Sequence, residues 1–203
     1  QRQMCIRDRV ITGIGIISCL GNDKNEVLTS LLESKSGLAL NPEYKENGMR
    51  CHISGQVNPN LDVIDRKMLR FMSETSAYAF LSTEEALADA GLSFEDINND
   101  KTGVIVGSGT GSSRELKNVV DTAREKGIKR IGPYAVTRTM GNTTSAAIST
   151  FFQTKGVSFS IASACSTSLH CISYAFDLIK SGRQQTVIAG GSEDDHWTGA
   201  MTV

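Results

Sequence analysis

The feature that most constrains this sequence is a repeated change of hydrophobic period. Short apolar, β-branched runs occur at "VITGIGI" (10–16), "TGVIVG" (102–107), "VSFSIA" (157–162) and "QTVIAGG" (185–191). The first three run through glycines or other small residues into stretches with helical spacing, such as "SSRELKNVVDTAREKG" and "CSTSLHCISYAFDLIKSG". Runs of this kind read as buried strands, and the stretches after them as amphipathic helices. Four strands alternating with helices predict an α/β layered domain with a mostly parallel sheet and helices on both faces, because parallel neighbours need a crossover that covers the sheet.

Local signals place the helices. Asn22 or Asp23 supplies an N-cap and Gly37 a stop for the first one. Residues 62–90 are nearly free of breakers, with Met68, Met72, Ala79, Ala86 and Ala90 near helical spacing and Gly91 suited to the position after a helix. One long helix or two in succession is expected there. Residues 38–60 hold Pro42, Gly48, Gly55 and Pro59 without steady periodicity and read as a long surface connection with room for a hairpin.

Charge excludes two partner classes. Lys and Arg total 21 against 22 Asp and Glu, so nothing global favours nucleic acid or a membrane surface, and a charged docking site has to be local. No apolar run approaches the ~18 residues of a spanning helix, and the opening "QRQMCIRDR" lacks the apolar middle of a secretion signal, so a soluble, cytoplasmic protein is expected. Residues 1–9 join abruptly to the apolar run at 10–16 and are read as a non-native lead-in. The five cysteines (Cys5, Cys19, Cys51, Cys165, Cys171) show no CxxC spacing, which argues for neither a disulfide framework nor a zinc site and fits a reduced compartment. On a helix Cys165 and Cys171 would stand about 240° apart and so would not pair.

Cys165 falls just past a predicted strand and at the start of a predicted helix. Sites in open α/β sheets favour the carboxyl ends of strands. A helix N-terminus offers unpaired N–H groups and positive potential, which favour a thiolate and the oxyanion formed when it attacks a thioester. Ala162, Ser163, Ala164, Ser166 and Thr167 leave space for a substrate chain. By position alone a buried structural cysteine competes with this reading. His170 would lie about 140° away around the helix, so it is expected to satisfy a structural hydrogen bond, and His52 and His196 offer no obvious Cys-His pair.

"GSGTGSS" (107–113) after a strand suggests dinucleotide binding, but GxGxxG requires glycine where Ser112 stands, and "GIGIIS" fails in the same way at Ser18. Tight turns and close packing explain these glycines. No cofactor and no metal is called for.

"SACSTSLHCI", together with "VITGIGIIS", "IDRKMLRFMSETSAYAFLS", "ALADAGLS", "GPYAVT" and "IAGGSED", resembles the amino-terminal half of the beta-ketoacyl-[acyl carrier protein] synthase I family of the thiolase-like superfamily. The resemblance runs from Val10 to Trp197. It implies a thiolase-like α/β fold over residues 10–203, amino-terminal half only and truncated. It implies an acyltransferase of fatty acid elongation that loads an acyl group onto Cys165 and condenses it with malonyl-[acyl carrier protein], with loss of CO2. Family members take two histidines and a lysine for the second step from the carboxy-terminal half, so this chain alone is expected not to condense, and to expose apolar surface where that half packs.

Further roles are implied by the resemblance alone. Thr110 and Met140 match positions near the acyl channel or dimer interface, although core packing explains Met140 equally well. Arg66, Lys67, Arg70, Lys126 and Lys129 match residues that dock the acidic acyl carrier protein, against the plainer reading of a solvated face. A homodimer is implied, burying the glycine loop and residues 141–152. A polyketide-type ketosynthase shares the same cysteine and chemistry. A non-catalytic ketosynthase-like partner subunit is the rival from another class, and retention of Cys165 argues against it.

Overall fold

The structure, a computed structural model, describes residues 9–200. Cys5 and all of the expected lead-in except Arg9 lie outside the described residues. In chain order the elements are α1 (Lys24–Leu32), β1 (Ala39–Leu40), α2 (Pro42–Glu46), β2 (Ile53–Ser54), α3 (Arg66–Leu69), α4 (Glu74–Asp89), α5 (Phe94–Ile97), β3 (Thr102–Gly107), α6 (Ser113–Lys126), α7 (Ala135–Thr139), α8 (Thr143–Phe151), β4 (Ser158–Phe159), α9 (Thr167–Lys180), β5 (Thr186–Gly191) and α10 (Trp197–Ala200).

Three parallel strands in the order β4-β3-β5 form the central sheet, with β3 fully buried in the middle. Alternation along β3 separates two cores, as the pleat requires. Val104 and Val106 join Ala77, Ala79, Phe80, Ile148 and Phe152 on the face covered by α4 and α8. Ile105 joins Cys171, Ala175 and Leu178 on the face covered by α9. The predicted α/β layering, parallel pairing and helices on both faces are therefore present. A two-stranded antiparallel ladder, β1 with β2, supplies the hairpin in the 38–60 connection.

One predicted strand is corrected. Residues 10–16 form no strand, because no neighbouring strand offers them a ladder. Their N–H groups go instead to side chains of α4: Ile14 donates to Asp89 Oδ2 at 2.9 Å and Ile16 to Glu85 Oε2 at 2.8 Å. Gly13 and Gly15 permit this approach, since a Cβ on either would collide with the backbone of α4. Val10 and Ile11 stay about three-quarters exposed, at 73% and 77%. The strand at 157–162 is likewise cut to two paired residues, Ser158 and Phe159.

Several helix ends follow their caps, although α1 ends at Leu32, short of the expected stop at Gly37. Asp23, not Asn22, accepts from the N–H groups of Asn25 and Glu26 to start α1. Residues 62–90 divide at Ser73, whose hydroxyl and backbone exchange bonds with Ser76 in a capping box. Gly91 ends α4 at φ +66°, where only glycine is unstrained.

Candidate active site

The chain leaves β4, passes a tight turn over Ala164–Ser166 and enters α9. Ser166 N–H donates to Ser163 O at 3.1 Å, and Ser163 N–H to the buried Thr167 Oγ1 at 2.9 Å, which closes the turn. Ala164 holds φ +51°, a left-handed conformation that alanine adopts only under constraint. No side chain caps α9; Ser166 N–H and Thr167 N–H donate within the turn, to Ser163 O and Ala164 O, and the positive end of the helix lies beside Cys165. The Cys165 thiol is exposed. Cys171, six residues on, is fully buried, and burial pushes its thiol pKa up. The two sulfurs of "CSTSLHC" thus have opposite surroundings: one is accessible beside positive potential, the other inert beneath the helix.

A second loop meets this turn. β3 ends at Gly107, which pairs with Gly191 of β5, and Gly107 packs so closely on Ile161 and Thr167 that a Cβ there would clash with both. Residues 108–111 then pass alongside the cysteine turn: a Cβ on Gly109 would lie 2.9 Å from Ala164 Cα. Gly111, at φ +73°, turns the loop into α6, whose N-cap is Ser112. Glu193, just beyond β5, gathers the loop. Ser108 Oγ donates to Glu193 Oε2 at 2.8 Å, Thr110 Oγ1 donates to the same oxygen at 3.2 Å, and Gly109 N–H donates to Oε1.

The other acids after β5 are engaged elsewhere. Ser112 Oγ donates to Asp194 at 2.6 Å, while Tyr44 and Ser54 donate to Asp195 at 2.7 and 2.8 Å. Burial and the Asp195 carboxylate push the Tyr44 pKa up to about 12. Arg114 joins this network through Glu74 at 3.0 Å and Glu43 at 3.8 Å.

None of the histidines is placed as a base for Cys165. His170 Nδ1 lies 2.6 Å from Ser163 Oγ, the structural bond expected of it. His196 is buried, and its Nε2 lies 3.3 Å from Glu43 Oε1. Burial and the Arg114 charge lower its pKa more than Glu43 raises it. Its Nδ1 lies 2.5 Å from Thr198 Oγ1 and accepts from Thr198 N–H at 3.4 Å. His52 gives its backbone carbonyl to Asn41 N–H in the β1–β2 connection.

Among the residues implied by resemblance, Thr110 is exposed on the loop beside the cysteine turn. Met140 lines an apolar cavity of about 240 Å³ with Phe71, Thr143, Ala147 and Phe151. The two are joined through Gly111, which packs on the backbone of residues 139–141. Arg66, Lys67, Arg70, Lys126 and Lys129 are all exposed and make no ion pair among the described residues. Phe71, next to Arg70, meets Tyr134 edge-on at 4.7 Å, which brings together the chain segments that come after the two basic clusters. Glu193 and the left-handed Ala164 were not singled out from sequence. "GGSED" after a strand was the available signal for Glu193. Among the described residues no group of three His, Cys, Asp or Glu side chains is set to hold a metal ion.

An α/β layer that presents a cysteine where a parallel strand turns into a helix is the architecture of thiolase-like ketosynthases. A beta-ketoacyl synthase from Burkholderia phymatum superposes with a TM-score of 0.85 at 27% identity, over 95% of this chain and 48% of that one. The ishigamide ketosynthase/chain length factor shares the fold with a TM-score of 0.84 at 20% identity. The chain belongs to the beta-ketoacyl synthase family: the model of the beta-ketoacyl synthase N-terminal domain matches residues 7–201. It is 48% identical over 195 residues to 3-oxoacyl-[acyl-carrier-protein] synthase 1 of Haemophilus influenzae, covering 95% of this chain and 48% of the relative. It is 49% identical over 191 residues to the protein of the same name in Escherichia coli, covering 93% of this chain and 47% of that one. The chain spans about half the length of the curated relatives it matches.

Proposed function

We propose that Cys165 is the acyl-accepting nucleophile of a 3-oxoacyl-[acyl carrier protein] synthase acting in cytoplasmic fatty acid elongation. The observation that carries this reading is the exposed thiol on the turn before the uncapped N-terminus of α9. There the Cys165 thiolate attacks the thioester carbonyl of an acyl group on acyl carrier protein. An S–C bond to Cys165 forms, the carrier's C–S bond breaks, and the departing carrier thiolate takes up the proton that Cys165 gave up. The positive end of the α9 dipole would favour the oxyanion between these steps.

Thr110 and the 108–111 loop border the space the acyl chain would occupy, and Met140 would limit its depth. The exposed basic residues Arg66, Lys67, Arg70, Lys126 and Lys129 supply a complementary surface for an acidic carrier, attracting it without holding it long. Condensation with malonyl-[acyl carrier protein], and the homodimer in which the family works, belong to the full-length enzyme. Exposed Leu169, Ile172 and Phe176 along one side of α9 suit packing against its other half.

The test is to incubate the chain with an acyl carrier protein thioester and to measure intact mass. An acyl adduct on the native chain that is abolished by Cys165→Ser supports the proposal. An adduct that persists in Cys165→Ser, or no adduct on a folded native chain, counts against it.

A further inference from the structure

Glu193 lies 28 residues past Cys165 in sequence, yet its carboxylate accepts from three consecutive residues of the loop beside that cysteine. Gly109 and Gly111 carry no side chains, and Thr110 is exposed. Ser108 Oγ accepts from Gly111 N–H at 2.8 Å, so when the same hydroxyl donates to Glu193 the Gly111 turn is tied to the carboxylate through one relay. Thr75 Oγ1 donates to Gly111 O at 3.2 Å from the far side.

Glu193 is itself well anchored. It comes after β5 in the register that pairs Gly107 with Gly191. Next to it, Ser192 N–H donates to Gly107 O at 3.1 Å and Ser192 Oγ to Thr75 O at 2.8 Å. The carboxylate is thus fixed to the end of the sheet and reaches outward to the glycine loop. The held loop abuts Ala164 through Gly109, and Ala164 is the residue whose left-handed backbone presents Cys165.

We propose that Glu193 is a positioning residue: its carboxylate gathers Ser108, Gly109 and Thr110 and so braces the turn that aims the Cys165 thiol. The inference rests on Cys165 being the acylated residue, as proposed above. A carboxylate suits the role because all three partners are donors. An amide in its place would turn an N–H group toward one of them and leave at least one donor unpaired.

The test compares Glu193→Gln, and the milder Thr110→Val that removes one exposed donor, with the native chain. Iodoacetamide labelling of Cys165 is read against the exposed Cys51 as internal control, together with hydrogen exchange over residues 107–112 and acyl loading from carrier protein. For Glu193→Gln, exchange over 107–112 is expected to rise about tenfold as the loop opens locally. Labelling of Cys165 should rise about threefold relative to Cys51, because a small reagent gains access to a loosened turn. Acyl loading should fall about tenfold, because the thiol is no longer held for attack. Thr110→Val should move all three in the same directions by less.

A residue that only stabilised the fold would change Cys51 and Cys165 labelling together. That result, or native exchange and a native Cys165 to Cys51 ratio in both variants, overturns the proposal. If Glu193→Gln fails to fold, Thr110→Val decides by the same ratio. Labelling and exchange require no carrier protein, so they judge Glu193 even where a native chain that takes no acyl group has already refuted the role given to Cys165.

Discussion

Ser163 Oγ and His170 Nδ1 stand 2.6 Å apart, a bond that spans the cysteine turn and ties its first residue to α9. With Nδ1 engaged in this way, His170 serves the turn and not the thiol. His170→Ala is expected to keep acyl loading of Cys165 within about threefold of native while costing about 1 kcal/mol of stability for the lost hydrogen bond. Loading kinetics by intact mass and a urea titration check both numbers. A loss of loading of a hundredfold or so would make His170 a general base.

Gly107 joins β3 to the glycine loop where β3, β5 and the cysteine turn converge. A methyl group there meets the Ile161 carbonyl and Thr167 Cγ2, both held by their own packing. Gly107→Ala is expected to destabilise the chain by about 1–3 kcal/mol through overpacking. Gly132→Ala, whose Cβ would meet nothing within 4 Å, should change stability little. Chemical denaturation of the pair measures the contrast.

The basic residues of α3 are exposed and lack ion-pair partners among the described residues, so their charge is available to a partner. Reversing Arg66 and Lys67 to glutamate is expected to weaken acyl carrier protein binding about tenfold or more at low salt, and the difference should shrink as ionic strength rises. Calorimetry or fluorescence titration at two salt concentrations checks this. Unchanged affinity at low salt would leave α3 as a solvated face.

Burial of His196 beside Arg114 sets the sign of its effect on stability as pH changes. Its folded pKa lies below the usual value of 6.5, chiefly because of burial and then Arg114, with Lys117 acting in the same direction and Glu43 and Asp194 opposing. Protonation therefore favours the unfolded chain. Its contribution is complete above the unfolded value and is lost as pH falls through the folded one. Glu74, with a pKa raised by burial, acts with the opposite sign, so the two must be separated. The stability advantage of the native chain over His196→Gln is expected to be larger at about pH 7.5 than at about pH 5.5, as read from urea midpoints.

What could be read from the residues was whatever local chemistry decides. Asp23, one of the two caps offered, and Gly91 mark helix ends because caps and left-handed positions depend on a few neighbouring atoms, whereas the break at Ser73 inside 62–90 was not located. The α9 start, and with it the place of Cys165, was legible from the change of an apolar run into helical spacing. Residues 10–16 misled because β-branched residues and glycines describe a strand without providing the partner strand that makes one. Glu193 was hidden because its bonds link positions 83 to 85 apart in sequence, a pairing that only the register of β3 with β5 creates.

Ala164 carries a cost that glycine would avoid, about 1–2 kcal/mol for an L-residue in the left-handed region. Replacing it with glycine should therefore make the chain hardier toward heat, and at the same time let the neighbouring sulfur wander over more orientations. Selection for durability and selection for turnover would pull this one methyl group in opposite directions.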